Sequence, residues 1–121
     1  MIVLVDARNV LRSRWPNVPE DELVERCRAW AEEEGLSAVV VFDGRAPGGV
    51  LGERDLDVSC RVVGTGGESA DDWLARAAGE LAAREEPYRL VTSDRELRDR
   101  AGGEAASTIG GGSFLGLLGL R

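Results

Sequence analysis

The chain opens with "MIVLVD" (residues 1 to 6), in which four apolar residues follow Met1 without a break and an acid closes the run. A strand with one face in water alternates apolar and polar side chains, and this one does not. An unbroken Ile-Val-Leu-Val run reads as a strand covered on both faces, which is the mark of a parallel sheet packed between helices. "AVVVF" (38 to 42) repeats the pattern. "SCRVV" (59 to 63) and "RLVT" (89 to 92) follow it, and "AASTI" (105 to 109) is a weaker fifth run.

Helical patterns lie between these runs. "PEDELVERCRAWAEEEG" (19 to 35) puts Leu23, Cys27, Trp30 and Ala31 on one stripe, with Pro19 at its start, acids in its first turn and Gly35 at its end. "SADDWLARAAGELAARE" (69 to 85) carries Ala70, Trp73, Leu74, Ala77, Ala78 and Leu81 at helical spacing. A short helix, "DRELRDRA" (94 to 101), follows the fourth strand, with Ser93 and Glu96 spaced as a capping box. Strand and helix alternation predicts a three-layer, Rossmann-like α/β/α fold with a mainly parallel sheet of about five strands. At 121 residues the expectation is one domain, 1–121. The segment "GRAPGGVLGERDLD" (44 to 57) reads as an open loop. The glycines 110 to 112 precede "SFLGLLGL", an apolar tail expected to pack on its own sheet rather than on a partner.

Composition narrows the chemistry. There is no histidine, and all 15 basic residues are arginine. A Ser-His-Asp triad, a histidine base, the commoner zinc sites, a Walker A lysine and Schiff-base catalysis are thereby excluded. Cys27 and Cys60 lack CxxC spacing and read as free thiols of a cytosolic protein. No apolar run approaches the roughly 20 residues of a membrane span. The N-terminus lacks the basic region of a signal peptide. A cytoplasmic protein without a membrane partner is expected. The net charge of −7 argues against a nonspecific polycationic nucleic-acid binder, although bound cations and local arginines can reverse the sign at a site.

The strands end in acids. The first closes on Asp6, the second on Asp43 and the fourth on Asp94, while the third runs through "GTGG" into Glu68, Asp71 and Asp72 at a helix start. Right-handed crossovers put all parallel strand C-termini on one edge, where ligands bind. Six carboxylates would then converge with no lysine to neutralise them. Hard oxygen ligands suit Mg²⁺ or Mn²⁺. Each acid also has a local reading: Asp72 stands at capping-box spacing from Ser69, Asp43-Gly44 is a turn pair, and Asp94 suits a helix first turn. Helix caps and a metal site therefore both stand, and joint placement on one edge favours the metal. The Gly-rich "GTGGES" lacks dinucleotide-fingerprint spacing, and its acids would repel a pyrophosphate, so no nucleotide cofactor is expected.

At these same positions the sequence resembles a known family. "LVDARNVL" is similar to the D-x-x-N opening of NYN domains, a branch of the PIN-like ribonucleases. "GESADDWLARAAGEL" resembles the E-T-A-D helix start of the YacP-like subgroup, and "LVTSDRELRDRA" its fourth-strand TSD segment. The resemblance implies a PIN-like fold and a metal-dependent endoribonuclease that cuts phosphodiesters with activated water. It implies Asp6, Asp71 and Asp94 as metal ligands, Asn9 as the signature asparagine that orients Asp6 or substrate, and Glu68 and Asp72 as auxiliary acids. Asp43 would act at most behind the ligands. The opening departs from the commoner D-G-Y-N by carrying Ala7 and Arg8.

Arg8, Arg12, Arg14 and Trp15 form a basic-aromatic cluster after the first strand. With Arg45 they are the candidate RNA contacts, although Trp15-Pro16 also reads as a loop packed down on the protein. The expected partner is RNA, single-stranded or presented by a ribosome. The alternatives are the toxin ribonuclease of a toxin–antitoxin pair, and a non-catalytic RNA- or protein-binding module whose acids only cap helices.

Overall fold

The computed structural model describes residues 1–120. Strand β1 (Ile2–Asp6) passes directly into helix α1 (Ala7–Arg12). Helix α2 (Glu20–Glu34) and strands β2 (Ser37–Phe42), β3 (Gly52–Asp57) and β4 (Cys60–Gly64) follow. Next come α3 (Ala70–Ala83), β5 (Tyr88–Val91), α4 (Arg95–Ala101), β6 (Ser107–Ile109) and α5 (Gly111–Leu117). One six-stranded sheet has the order β3-β4-β2-β1-β5-β6. All neighbours are parallel except β3, which pairs antiparallel with β4.

The unbroken apolar runs serve two cores. Val3, Val5, Val40, Phe42, Val62 and Val91 face α1, α2 and α5. Their strand neighbours Leu4, Val41, Val63 and Leu90 face α3 and α4 on the other side. Burial of alternate residues on opposite faces is why no polar position interrupts residues 2–5 of β1 or 38–42 of β2. The helix stripes behave as their spacing predicts. Leu23, Cys27 and Ala31 of α2 and Ala70, Leu74, Ala78 and Leu81 of α3 are buried, while Gly35 closes α2 in the left-handed conformation. Three layers result.

The segment 44–57 is not an open loop. Ala46 and Val50 are buried and pair with each other through both backbone groups, folding the segment onto the sheet end. Gly52–Asp57 then forms the edge strand β3, which brings the strand count to six. Its pattern is invisible to hydropathy because every residue is exposed. Charges hold it instead, with Arg61 of β4 pairing to Glu53 at 2.9 Å and Asp55 at 2.6 Å. A charged edge strand also resists pairing with another chain. Gly64 of β4 lies where a Cβ would run into the backbone of Val50, Gly44 and Ala46, so only glycine lets this segment close against the sheet.

The tail folds into α5. Phe114 is fully buried and meets Trp30 edge-on with ring centroids 5.2 Å apart, and Leu115, Leu118 and Leu120 are buried beside it. The tail therefore belongs to the core on the α1–α2 side.

Strand β1 lies between β2 and β5, and the chain builds outward first on one side of it and then on the other. The C-terminal end of β1 is thus a topological switch point, where an open α/β sheet leaves a crevice. Asp6 stands at that point.

Candidate active site

Asp6 is the last residue of β1 and only 5% exposed. Pairing of Val5 with Val91 brings the end of β5 alongside it. The fully buried Thr92 donates from Oγ1 to Asp6 Oδ2 at 3.0 Å, and the same hydroxyl accepts the Asp94 amide at 3.1 Å. One hydroxyl thus ties two acids together. Asp94 is itself the cap of α4, its Oδ1 accepting the Leu97 amide at 3.0 Å. The capping box expected from Ser93 and Glu96 is not the one used: the helix starts one residue later, because the Ser93 hydroxyl accepts the Gly111 amide of α5 at 2.8 Å.

Asp43 follows β2 and accepts the Ala70 amide of α3 on Oδ1 at 2.8 Å, while its Oδ2 lies 3.6 Å from Arg8 Nε. Ser69 caps the same helix through the Asp72 amide at 3.1 Å. That leaves Asp71, one residue into the first turn of α3, directed toward the other acids.

Asp6, Asp43, Asp71 and Asp94 line one open pocket of about 210 Å³, with Arg8, Arg12, Asn9 and Ser69 around them. Burial raises the pKa of Asp6 above the usual carboxylate range against the help of Thr92, and the charges of Asp71 and Asp43 push the same way. Asp71 is also raised, by desolvation and then by Asp94 and Asp43. The acids therefore repel one another across a shared space. Among the described residues no three acids are close enough to form a ready-made ligand cluster. The chemistry of the donor set nonetheless fits a hard divalent cation, since it offers carboxylate oxygens and no imidazole, and both thiols are buried elsewhere.

Asn9 Oδ1 accepts the Ser93 amide at 2.7 Å, joining α1 to the β5–α4 corner. Its side chain lines the pocket, and its amide nitrogen has no protein partner among the described residues. Glu68 and Asp72 lie apart from the pocket lining. Glu68 pairs with Arg76 through both oxygens, and Asp72 with Arg100 at 2.8 Å, which lowers the Asp72 pKa. Of the arginines singled out in the sequence, Arg8 and Arg12 reach the pocket. Arg14 instead donates to the Leu120 carbonyl at 2.9 Å and Arg45 to the Gly49 carbonyl at 3.0 Å. Trp15 is 86% exposed, so it does not pack the loop down. Thr92 is the residue the sequence hid. A threonine ending a buried strand carries no local signal that its hydroxyl will meet an acid 86 residues away.

The sequence profile of the YacP-like NYN domain matches residues 3–118. The chain belongs to the YacP-like NYN domain family. NYN domains are a branch of the PIN-like nucleases, which generally use divalent metals. Two solved structures share the fold. Rae1 (YacP) from Bacillus subtilis superposes with a TM-score of 0.73 at 22% identity, over 98% of this chain and 74% of that one. A tryptophan-to-leucine variant of Rae1 gives 0.72 at 20% identity with the same coverage. No curated protein sequence matches the chain. Among the described residues no helix is long and apolar enough to cross a membrane.

Proposed function

We propose that this YacP-like NYN domain is a metal-dependent endoribonuclease acting on single-stranded or ribosome-presented RNA, with residues 1–121 working as one unit. The observation that carries the reading is the gathering of Asp6, Asp43, Asp71 and Asp94 around one pocket, with Asp6 and Asp71 both raised. Carboxylates perturbed by burial and by one another, gathered in one cleft, are the pattern of a catalytic site. Membership of a branch of the PIN-like nucleases supports this reaction class.

Asp6, Asp71 and Asp94 are the residues that would hold Mg²⁺ or Mn²⁺. When bound, such an ion polarises a phosphoryl oxygen, lowers the pKa of water and stabilises the leaving oxygen. The protein's own part is positioning. The Thr92 hydroxyl fixes Asp6 and, through the Asp94 amide, the start of α4. Asp94 caps α4 with one oxygen and keeps the other, so capping and ligation do not compete there, while Asp43 takes the Ala70 amide on one oxygen and faces Arg8 with the other. Asn9 presents its amide nitrogen to substrate while its oxygen holds Ser93. Arg8 and Arg12 at the rim contact the phosphates. Glu68 and Asp72 act at a distance, keeping Arg76 and Arg100 paired.

The test is cleavage of a mixed pool of structured and single-stranded RNA with Mn²⁺ and with EDTA, wild type beside Asp94→Asn. Cutting that requires both the cation and Asp94 is expected. Cutting that survives EDTA, or that Asp94→Asn leaves intact, would sink the proposal.

A further inference from the structure

We propose that the acidic pocket continues into a nucleotide subsite. The groove between α1 and the start of α2 takes the base of one unpaired ribonucleotide beside the scissile phosphate, and Arg8 and Arg12 hold the phosphates at its mouth. The inference rests on the nuclease reading of the pocket and adds the place where a base is held.

A second cavity, of about 530 Å³, shares Arg8, Arg12 and Asp43 with the acidic pocket, so the two spaces meet along that rim. Its volume lies within the range of small-ligand sites, about 300–1,000 Å³. Leu11, Val18 and Phe42 give it apolar walls. Glu20 lines the groove but not the acidic pocket. A carboxylate there repels phosphate and accepts a hydrogen bond from an exocyclic amine of a base. The groove is thus cationic where it joins the acids, apolar along its walls, and acceptor-bearing beyond them. A nucleotide has the same order of parts.

Charge points to the same occupant. Most arginines are already engaged: Arg28, Arg61, Arg76, Arg84 and Arg100 pair with acids, and Arg14, Arg45 and Arg98 donate to backbone carbonyls. Among the described residues Arg12, like Arg26, Arg54, Arg89 and Arg95, has neither kind of partner, and Arg8 has only the 3.6 Å approach to Asp43; of these six, Arg8 and Arg12 line the two cavities. Two weakly committed guanidinium groups beside the carboxylates are where a chain of net charge −7 can receive a polyanion. A paired base cannot turn into such a groove, so the substrate strand is single at this point.

The test uses fluorescence anisotropy of a labelled single-stranded oligoribonucleotide in Ca²⁺ buffer, with wild type, Arg12→Ala, Val18→Trp and, as a control on an exposed face of α2, Arg26→Ala. Arg12→Ala should weaken binding about 3- to 10-fold and Val18→Trp about 10-fold, in line with the loss of one phosphate contact or one seated base. Arg26→Ala should bind as wild type, and blunt duplex RNA should compete at least 10-fold less well. Arg12 is exposed, so its variant keeps the fold even if Val18→Trp does not. No binding of single-stranded RNA by the wild type, or wild-type affinity in both groove variants, would overturn the subsite. Groove-dependent binding without any cleavage would remove the nuclease reading and leave the subsite standing. Cleavage that needs Asp94, with Michaelis constants unchanged in both groove variants, would remove the subsite alone.

Discussion

Asp94 joins two duties in one side chain. It caps α4 through Leu97 and it faces the acidic pocket. Asparagine caps helices as well as aspartate, whereas alanine costs about 1 kcal/mol. Asp94→Asn should therefore keep the wild-type denaturation midpoint and lose at least about 100-fold in RNA cleavage. Asp94→Ala should lose both. Equal cleavage by wild type and the asparagine variant would reduce Asp94 to its cap. Asp6 makes the reverse trade. Its pKa is raised above the ordinary carboxylate value, first by burial, so ionised Asp6 destabilises the fold. That cost is absent below the unfolded pKa, where both states are protonated. It grows as pH rises through the shifted value and is complete above it. Asp6→Asn should thus be more stable than wild type in urea at neutral pH without divalent cations. The two should converge near pH 3.

At the scale of elements, the tail is the informative piece. Phe114 is fully buried against Trp30. Truncating a buried Phe costs about 3–5 kcal/mol, and Phe114→Ala should lose that much in chemical denaturation. A tail that served only as a partner surface would show almost no loss. Helix α5 also packs behind the site, since the Gly111 amide donates to Ser93 and a Cβ at Gly111 would collide with the Ser13 hydroxyl and press on Asn9. Helices α2 and α3 were legible from their stripes, with Leu23, Cys27 and Ala31 in α2 as the plain case, whereas α1, which runs straight on from β1, was not. Strand β3 was not. Four of its six residues are charged, all are exposed, and its acids pair with Arg61 on the neighbouring strand and Arg28 of α2. Hydrophobic periodicity reports burial, and an edge strand held by ion pairs has none to report.

For the whole molecule, the arrangement concentrates repulsion at one place. Asp6, Asp43, Asp71 and Asp94 come from four separate stretches of chain, and folding forces them together. A ligand that binds only the folded form stabilises it by mass action. Millimolar Mn²⁺ should raise the melting temperature of wild type, with a smaller rise for Asp71→Asn and return to the starting value on adding EDTA. A melting temperature indifferent to Mn²⁺ would mean that the pocket holds no ion of that kind. On the proposed reading the same geometry would let an acidic chain receive RNA, because Arg8 and Arg12 border the acids whereas most of the other described arginines are engaged with acids or backbone carbonyls.

The sequence by itself determined the layered fold and the edge on which the acids gather. Unbroken apolar runs require cover on both faces, and parallel crossovers send every strand end to one side. It also placed Asp6, Asp71 and Asp94 on that edge, because each stands next to a strand end or a helix start. Only the tertiary structure decided which acids share the pocket. Glu68 and Asp72 are drawn away by Arg76 and Arg100, Asp43 is drawn in beside α3, and Thr92 is set between Asp6 and Asp94. Those choices depend on partners 8, 27, 28 and 86 positions away in the chain, beyond the reach of any local pattern of residues.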